Sequence, residues 1–133
     1  MIAVDTSVVV AGLCSWHDRH DVCRPILDEK PVIVGHVLVE SFSVLTRLPA
    51  PYQVSAELAA ELLAANFPRE PLTMKPEEVM SFVAGLPQWR VIGGAVYDAL
   101  IAATARDAGA ALLTLDARAA RTYLAIGVDT QLV

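Results

Sequence analysis

The chain has 133 residues, 55% of them hydrophobic and 19% charged. That suits a single domain over residues 1–133, burying roughly two-thirds of the surface its unfolded form would expose, and it is too apolar for disorder. The formal net charge of −5 argues against non-specific binding to a polyanion, which runs on Lys and Arg neutralising phosphates. Apolar runs such as Val8 to Leu13 stop far short of the ~20 residues that span a bilayer, and no basic segment precedes an apolar core at the amino terminus. A cytoplasmic protein is expected, with no membrane contact and with Cys14 and Cys23 as buried thiols rather than a disulfide.

Ile2-Ala3-Val4 reads as a strand ending at Asp5, after which Thr6-Ser7 can cap a helix running to Leu13. A second helix is expected over His17 to Asp28; Pro31 ends it before the β-branched strand Val32-Ile33-Val34, which Gly35 closes. From Val37 to Leu48 the apolar residues recur at helical spacing and predict a helix carrying Glu40, stopped by Pro49 and Pro51. Ser55 caps a strongly helical stretch through Ala65. Leu72-Thr73-Met74 suits a short strand, and Pro76-Glu77-Glu78 opens another helix, with Pro in the first turn and acids at the positive end of the dipole. Arg90-Val91-Ile92 is read as briefly extended before the helix Ala95 to Ala108, ended by Gly109. Ala111 to Leu115 is a strand stopping at Asp116, which caps the helix Ala117 to Ala125, and Val128 to Val133 suits a final strand. Strands alternating with helices imply a mostly parallel sheet covered by helices, because parallel neighbours need crossover connections.

Ligands of an open parallel sheet bind beyond the carboxyl ends of its strands, where Asp5 and Asp116 both fall. Asp98 and Glu40 each sit one turn into an apolar helix, and acids are seldom buried there without a partner. Singly, each of the four can be read as a helix cap or a first-turn acid. Converging, they repel and raise one another's pKa unless a divalent ion lies among them, and hard oxygen ligands select Mg²⁺ or Mn²⁺. The chemistry this suits is phosphodiester hydrolysis, with water activated and the charge on phosphate stabilised.

Four segments, Val4-Asp5-Thr6-Ser7, Val39 to Pro49 around Glu40, Tyr97 to Ala105 around Asp98, and Leu113-Thr114-Leu115-Asp116, give the whole chain a resemblance to PIN-domain proteins. Specifically, it resembles the VapC-type toxins of bacterial toxin–antitoxin pairs. The resemblance implies a three-layer α/β/α sandwich and a Mg²⁺-dependent endoribonuclease, with Mn²⁺ as a substitute, acting on structured RNA such as tRNA or rRNA. It also implies a homodimer and inhibition by a cognate antitoxin in a larger hetero-oligomer. Carried over by motif, Asp5, Asp98 and Asp116 are metal ligands and Glu40 completes the catalytic set. Thr6 and Thr114 are the hydroxyls that orient these acids. Arg47 and Arg118, near the acidic motifs, are the expected RNA-phosphate contacts.

Three rival readings are open. Cys14, His17, His20 and Cys23 are zinc-ligand types, yet on a continuous helix their outer pair lies roughly 13 Å apart, so convergence needs a broken helix. An aspartyl-phosphate enzyme also places an acid after its first strand, but the haloacid-dehalogenase-like pattern wants a second Asp where this chain has Ser7. A catalytically inactive interaction module of the same fold would use the acids only as caps and work through its alanine-rich surface. Trp16 and Trp89 suit either base stacking or packing.

Overall fold

The computed structural model describes residues 1–133. The short β-branched and apolar runs become four strands, β1 (Ile2–Val4), β2 (Val32–Ile33), β3 (Ala111–Thr114) and β4 (Thr130–Leu132). They form one all-parallel sheet in the order β2-β1-β3-β4. Ala3, Val4, Val32, Ile33, Leu112 and Leu113 are all buried, as expected of parallel strands covered on both faces.

Seven helices connect them: α1 (Thr6–Leu13), α2 (His20–Asp28), α3 (Gly35–Thr46), α4 (Ala56–Asn66), α5 (Val79–Gly85), α6 (Ala95–Asp107) and α7 (Ala117–Ile126). The chain leaves β1 toward β2 on one side, then returns past β1 to β3 and on to β4. Right-handed crossovers therefore put α1 and α2, packed on each other, over one face and α6 and α7 over the other. The reversal of strand order falls between β1 and β3, so the crevice where ligands bind such sheets lies between their carboxyl ends. No helix is long and apolar enough to cross a membrane.

Several boundaries differ from the sequence reading. Asp5 itself caps α1, accepting from the Val8 amide, and Thr6 is already helical. The segment after Cys14 turns through His17 N–H to Cys14 O and His20 N–H to His17 O, so α2 starts at His20 rather than His17. Gly35 begins α3 instead of only closing β2. Leu72 alone bridges to Val34; Pro71 just before it has no amide to donate to a ladder, and no strand extends to Met74. Pro76–Glu78 is a 3-10 turn leading into α5. Arg90–Ile92 is not extended: a second 3-10 turn, Leu86–Trp89, ends in a left-handed Arg90. Gly109 stands where expected, at φ +72° just past Ala108, the residue that caps α6, a conformation that costs glycine little.

Where α1 meets α2, Gly12 leaves no room for a side chain: a Cβ there would lie 2.5 Å from Leu27 Cδ1 and 3.2 Å from the Cys23 carbonyl oxygen. Leu27 is fully buried. Gly12→Ala is therefore expected to lower stability in chemical denaturation, because overpacking costs roughly 1–3 kcal/mol while the gain in helix propensity is about 1 kcal/mol. An unchanged or higher midpoint would mean that Leu27 can turn aside without strain.

Candidate active site

Asp5 directly follows β1, with only 3% of its surface exposed. A buried carboxylate needs donors, and four groups supply them. Ser7 Oγ donates to Oδ1 at 2.5 Å, Thr114 Oγ1 to Oδ2 at 2.5 Å, Tyr123 OH to Oδ2 at 3.1 Å, and the Val8 amide to Oδ1 at 3.3 Å. These come from α1, the end of β3 and the middle of α7. Burial raises the Asp5 pKa above its ordinary value, and the hydrogen bonds pull against that rise.

Thr114, fully buried, also accepts the Asp116 amide at 2.9 Å. One hydroxyl thus connects both strand-end acids. Asp116 caps α7, its Oδ1 accepting the amides of Arg118 at 2.8 Å and Ala119 at 3.2 Å, while Oδ2 keeps no partner. Capping and ligation are therefore compatible in this residue. On α3, Glu40 is half-buried and its Oε2 accepts from Thr6 Oγ1 at 2.5 Å. Thr6 and Thr114 thus both touch acids, in the positions the sequence suggests for orienting them.

Asp98, in the first turn of α6 and half-buried, has the least support. Burial raises its pKa first, then the charges of Asp116, Glu40 and Asp5; no hydrogen bond offsets them, and only Arg118 opposes. The four acids singled out from sequence thus share one electrostatic neighbourhood between β1, β3, α3 and α6. As they stand, no three His, Cys, Asp or Glu side chains are gathered closely enough to hold a metal ion. By donor chemistry the set suits a hard divalent cation, since every donor is a carboxylate and Asp98 lacks any other partner to offset its burial.

Two residues of this site escaped the sequence reading. Ser7 lies two positions after Asp5, and its Oγ also accepts the Leu115 amide at 2.9 Å. Tyr123 is 118 residues from Asp5; its only sequence signal is one large ring on a short, alanine-rich helix. Burial and the facing acids push its phenol far above the ordinary range, so it remains a donor. Of the expected RNA contacts, Arg118 is near enough for its charge to act on Asp98. Arg47 instead ends α3 on the surface, and nothing joins it to the acids.

The helix break that zinc binding would need does exist after Cys14, but its ligands are otherwise engaged. His20 Nδ1 bonds the Ala11 carbonyl at 2.9 Å, His17 Nδ1 accepts the Arg19 amide at 3.0 Å, and both cysteines are free thiols in the core.

Two expected outcomes follow. Because the folded pKa of Asp98 lies above its ordinary 3.8, the group adds stability at low pH that is lost as pH rises through the folded value. Without divalent ions, wild-type protein should therefore lose more stability between about pH 4 and pH 7 than Asp98→Asn does; equal losses in thermal melts would contradict the shared repulsion. Tyr123→Phe strips one donor from a buried acid and should lower unfolding free energy by about 1–3 kcal/mol, a loss absent if Asp5 is held by the other three donors alone.

Comparison with known proteins bears on the family and the fold. A family model described as "PIN domain" matches residues 2–124. The chain is 40% identical over 133 residues to Ribonuclease VapC40 of Mycobacterium tuberculosis, covering 100% of this chain and 99% of that one. It is 41% identical over 128 residues to Ribonuclease VapC27 of the same species, covering 96% and 93%. A solved structure, "Crystal Structure of FitAcB from Neisseria gonorrhoeae", superposes with a TM-score of 0.68 at 19% identity over 98% of this chain and 96% of that one, a likeness of fold that includes the three-layer α/β/α arrangement.

Proposed function

Since the chain belongs to the PIN-domain family, with VapC ribonucleases among its relatives, we propose that it is an endoribonuclease toxin of a toxin–antitoxin pair. The observation that carries this reading is Asp98, a half-buried acid without a hydrogen bond and within reach of the charges of three more carboxylates. Such a cluster is costly unless it neutralises a cation. The proposed cofactor is Mg²⁺, with Mn²⁺ able to substitute, held by Asp5, Asp98 and Asp116. The chemistry supplied by that ion is neutralisation of charge on the scissile phosphate and activation of water.

The side chains divide the remaining work. Asp5 cannot swing, because Ser7, Thr114, Tyr123 and the Val8 amide fix both its oxygens. Asp98 and Asp116 keep oxygens that protein donors do not occupy. Glu40, oriented by Thr6, faces the same space and is suited to take a proton from the attacking water. Arg118 contributes the cluster's own positive charge and contacts RNA phosphate. No nucleophilic side chain is required, so the cut leaves a 5′-phosphate and a 3′-hydroxyl. Structured RNA such as tRNA or rRNA is the proposed substrate, a homodimer the working form, and an antitoxin protein its inhibitor in a larger hetero-oligomer.

The test is incubation of purified protein with total bacterial RNA in Mg²⁺, Mn²⁺ or chelator, beside Asp98→Asn, followed by sequencing of the new ends. Discrete cuts that need metal and vanish in the variant are expected. Ends bearing 2′,3′-cyclic phosphate would overturn direct attack by water. Unaltered cutting by Asp98→Asn would overturn the site, and no cutting at all would leave the fold as an interaction module.

A further inference from the structure

Directly beside the acids a cleft of about 670 Å³ opens, within the ~300–1,000 Å³ of ordinary small-ligand sites. Its wall on the acid side is formed by Thr6 and Ser7, the hydroxyls that hold Glu40 and Asp5. The other walls differ in kind: Val44 and Leu115 are apolar, while His17 and Arg19 come from the turn between α1 and α2. His17 Nδ1 accepts the Arg19 amide at 3.0 Å, which leaves Nε2 as the ring's donor. Outside the cleft's own lining, Trp16 lies with its ring centroid 5.9 Å from that of His17 and packs against Tyr52 at 4.5 Å, and each of the two rings is close to half exposed (44% and 45%).

Arg19 is the one Lys or Arg side chain among the residues lining the cleft, and it differs from the cations elsewhere that fasten elements together. Arg24 pairs with Asp28 and Asn66, Arg69 donates to the Lys30 carbonyl, and Arg106 is held by Asp107 and the Ile126 carbonyl. The Arg19 guanidinium has no such partner and is in neither salt bridge of the molecule. On a chain of net charge −5, a free guanidinium lining a cleft whose hydroxyls hold Glu40 and Asp5 is placed for an anion that the acids alone would repel.

We infer that this cleft is a nucleotide subsite. It takes an unpaired base from the strand flanking the cut phosphate, with Arg19 on that nucleotide's own phosphate and the Trp16–Tyr52 pair offering a stacking face. A base inside a duplex is shielded by its neighbours, whereas a splayed base offers a face to an aromatic ring and its edge to donors such as His17 Nε2. The cleft therefore selects loops, bulges or single strands over continuous helix. This assignment rests on the ribonuclease reading for its substrate, but its residues are not those of the acid cluster.

The experiment uses the full chain and a short RNA containing a mapped cut, compared with copies carrying one abasic nucleotide at successive positions. One abasic position next to the cut should raise KM roughly 5- to 100-fold, the usual range for losing a stacked base, with kcat changed far less. Trp16→Ala should abolish that sensitivity. In chelator, where nothing is cut, Arg19→Ala should bind labelled single-stranded RNA more weakly and reduce the salt dependence by about one phosphate contact, and Arg19→Lys should restore part of it. If wild-type protein cuts RNA but no abasic position matters, or if Arg19→Ala binds as wild type does, the subsite is wrong and the nuclease stands. If nothing is cut, the binding arm still decides: loss of affinity in Arg19→Ala supports the cleft without the activity, and equal affinity overturns it.

Discussion

A carboxyl group with 3% of its surface exposed holds this molecule's two ends in register. Leaving Asp5 there without donors would cost several kcal/mol. Its donors are drawn from α1, from the last residue of β3 and from the middle of α7. The polar centre is therefore satisfied only when β1 is paired with β3 and α7 is docked. The backbone repeats the constraint, since the Asp5 amide donates to the Leu113 carbonyl at 3.1 Å. Everything that positions Asp116, including the Thr114 hydroxyl under its amide, follows from the same pairing.

Much of this arrangement was legible because it rests on local signals. Val4 and Leu115 end the runs that lead into Asp5 and Asp116, and an acid following such a run already lies in the ligand-binding crevice of a parallel sheet. Glu40 and Asp98 stood out as charges inside apolar helices. What was not legible depends on partners remote in sequence. Tyr123 looks like an ordinary core ring until the fold aims its hydroxyl at a residue 118 positions away. The start of α2 was misplaced because helical composition from His17 onward gives no hint that the His17 ring takes the Arg19 amide and turns the chain there. Leu72 has strand-forming neighbours, but a ladder needs successive amides and Pro71 lacks one. Arg90 took a left-handed conformation that few non-glycine residues adopt, and nothing in its neighbours announces it.

The charge distribution resolves an apparent contradiction. A net charge of −5 argues against gripping a phosphate backbone broadly, and several cations are spent on fastening elements together, as Arg24 and Arg106 are. Of the cations not so used, two lie at the site: Arg118 against Asp98, and Arg19 in the cleft beside the hydroxyls of Thr6 and Ser7. On the proposed reading, such a surface discriminates by fit at a few nucleotides rather than by electrostatic adhesion.

The pairing of β1 with β3 also has a consequence for how the protein comes into being. The hydroxyl that Thr114 offers to Asp5 is 109 residues away along the chain, and contacts of such long separation form late, after the entropy of closing the loop has been met. An emerging polypeptide carries Asp5, Glu40 and Asp98 long before it carries β3 and α7. Until those last segments leave the ribosome the acids have no common frame, so the cluster assembles only in a chain whose synthesis is essentially finished.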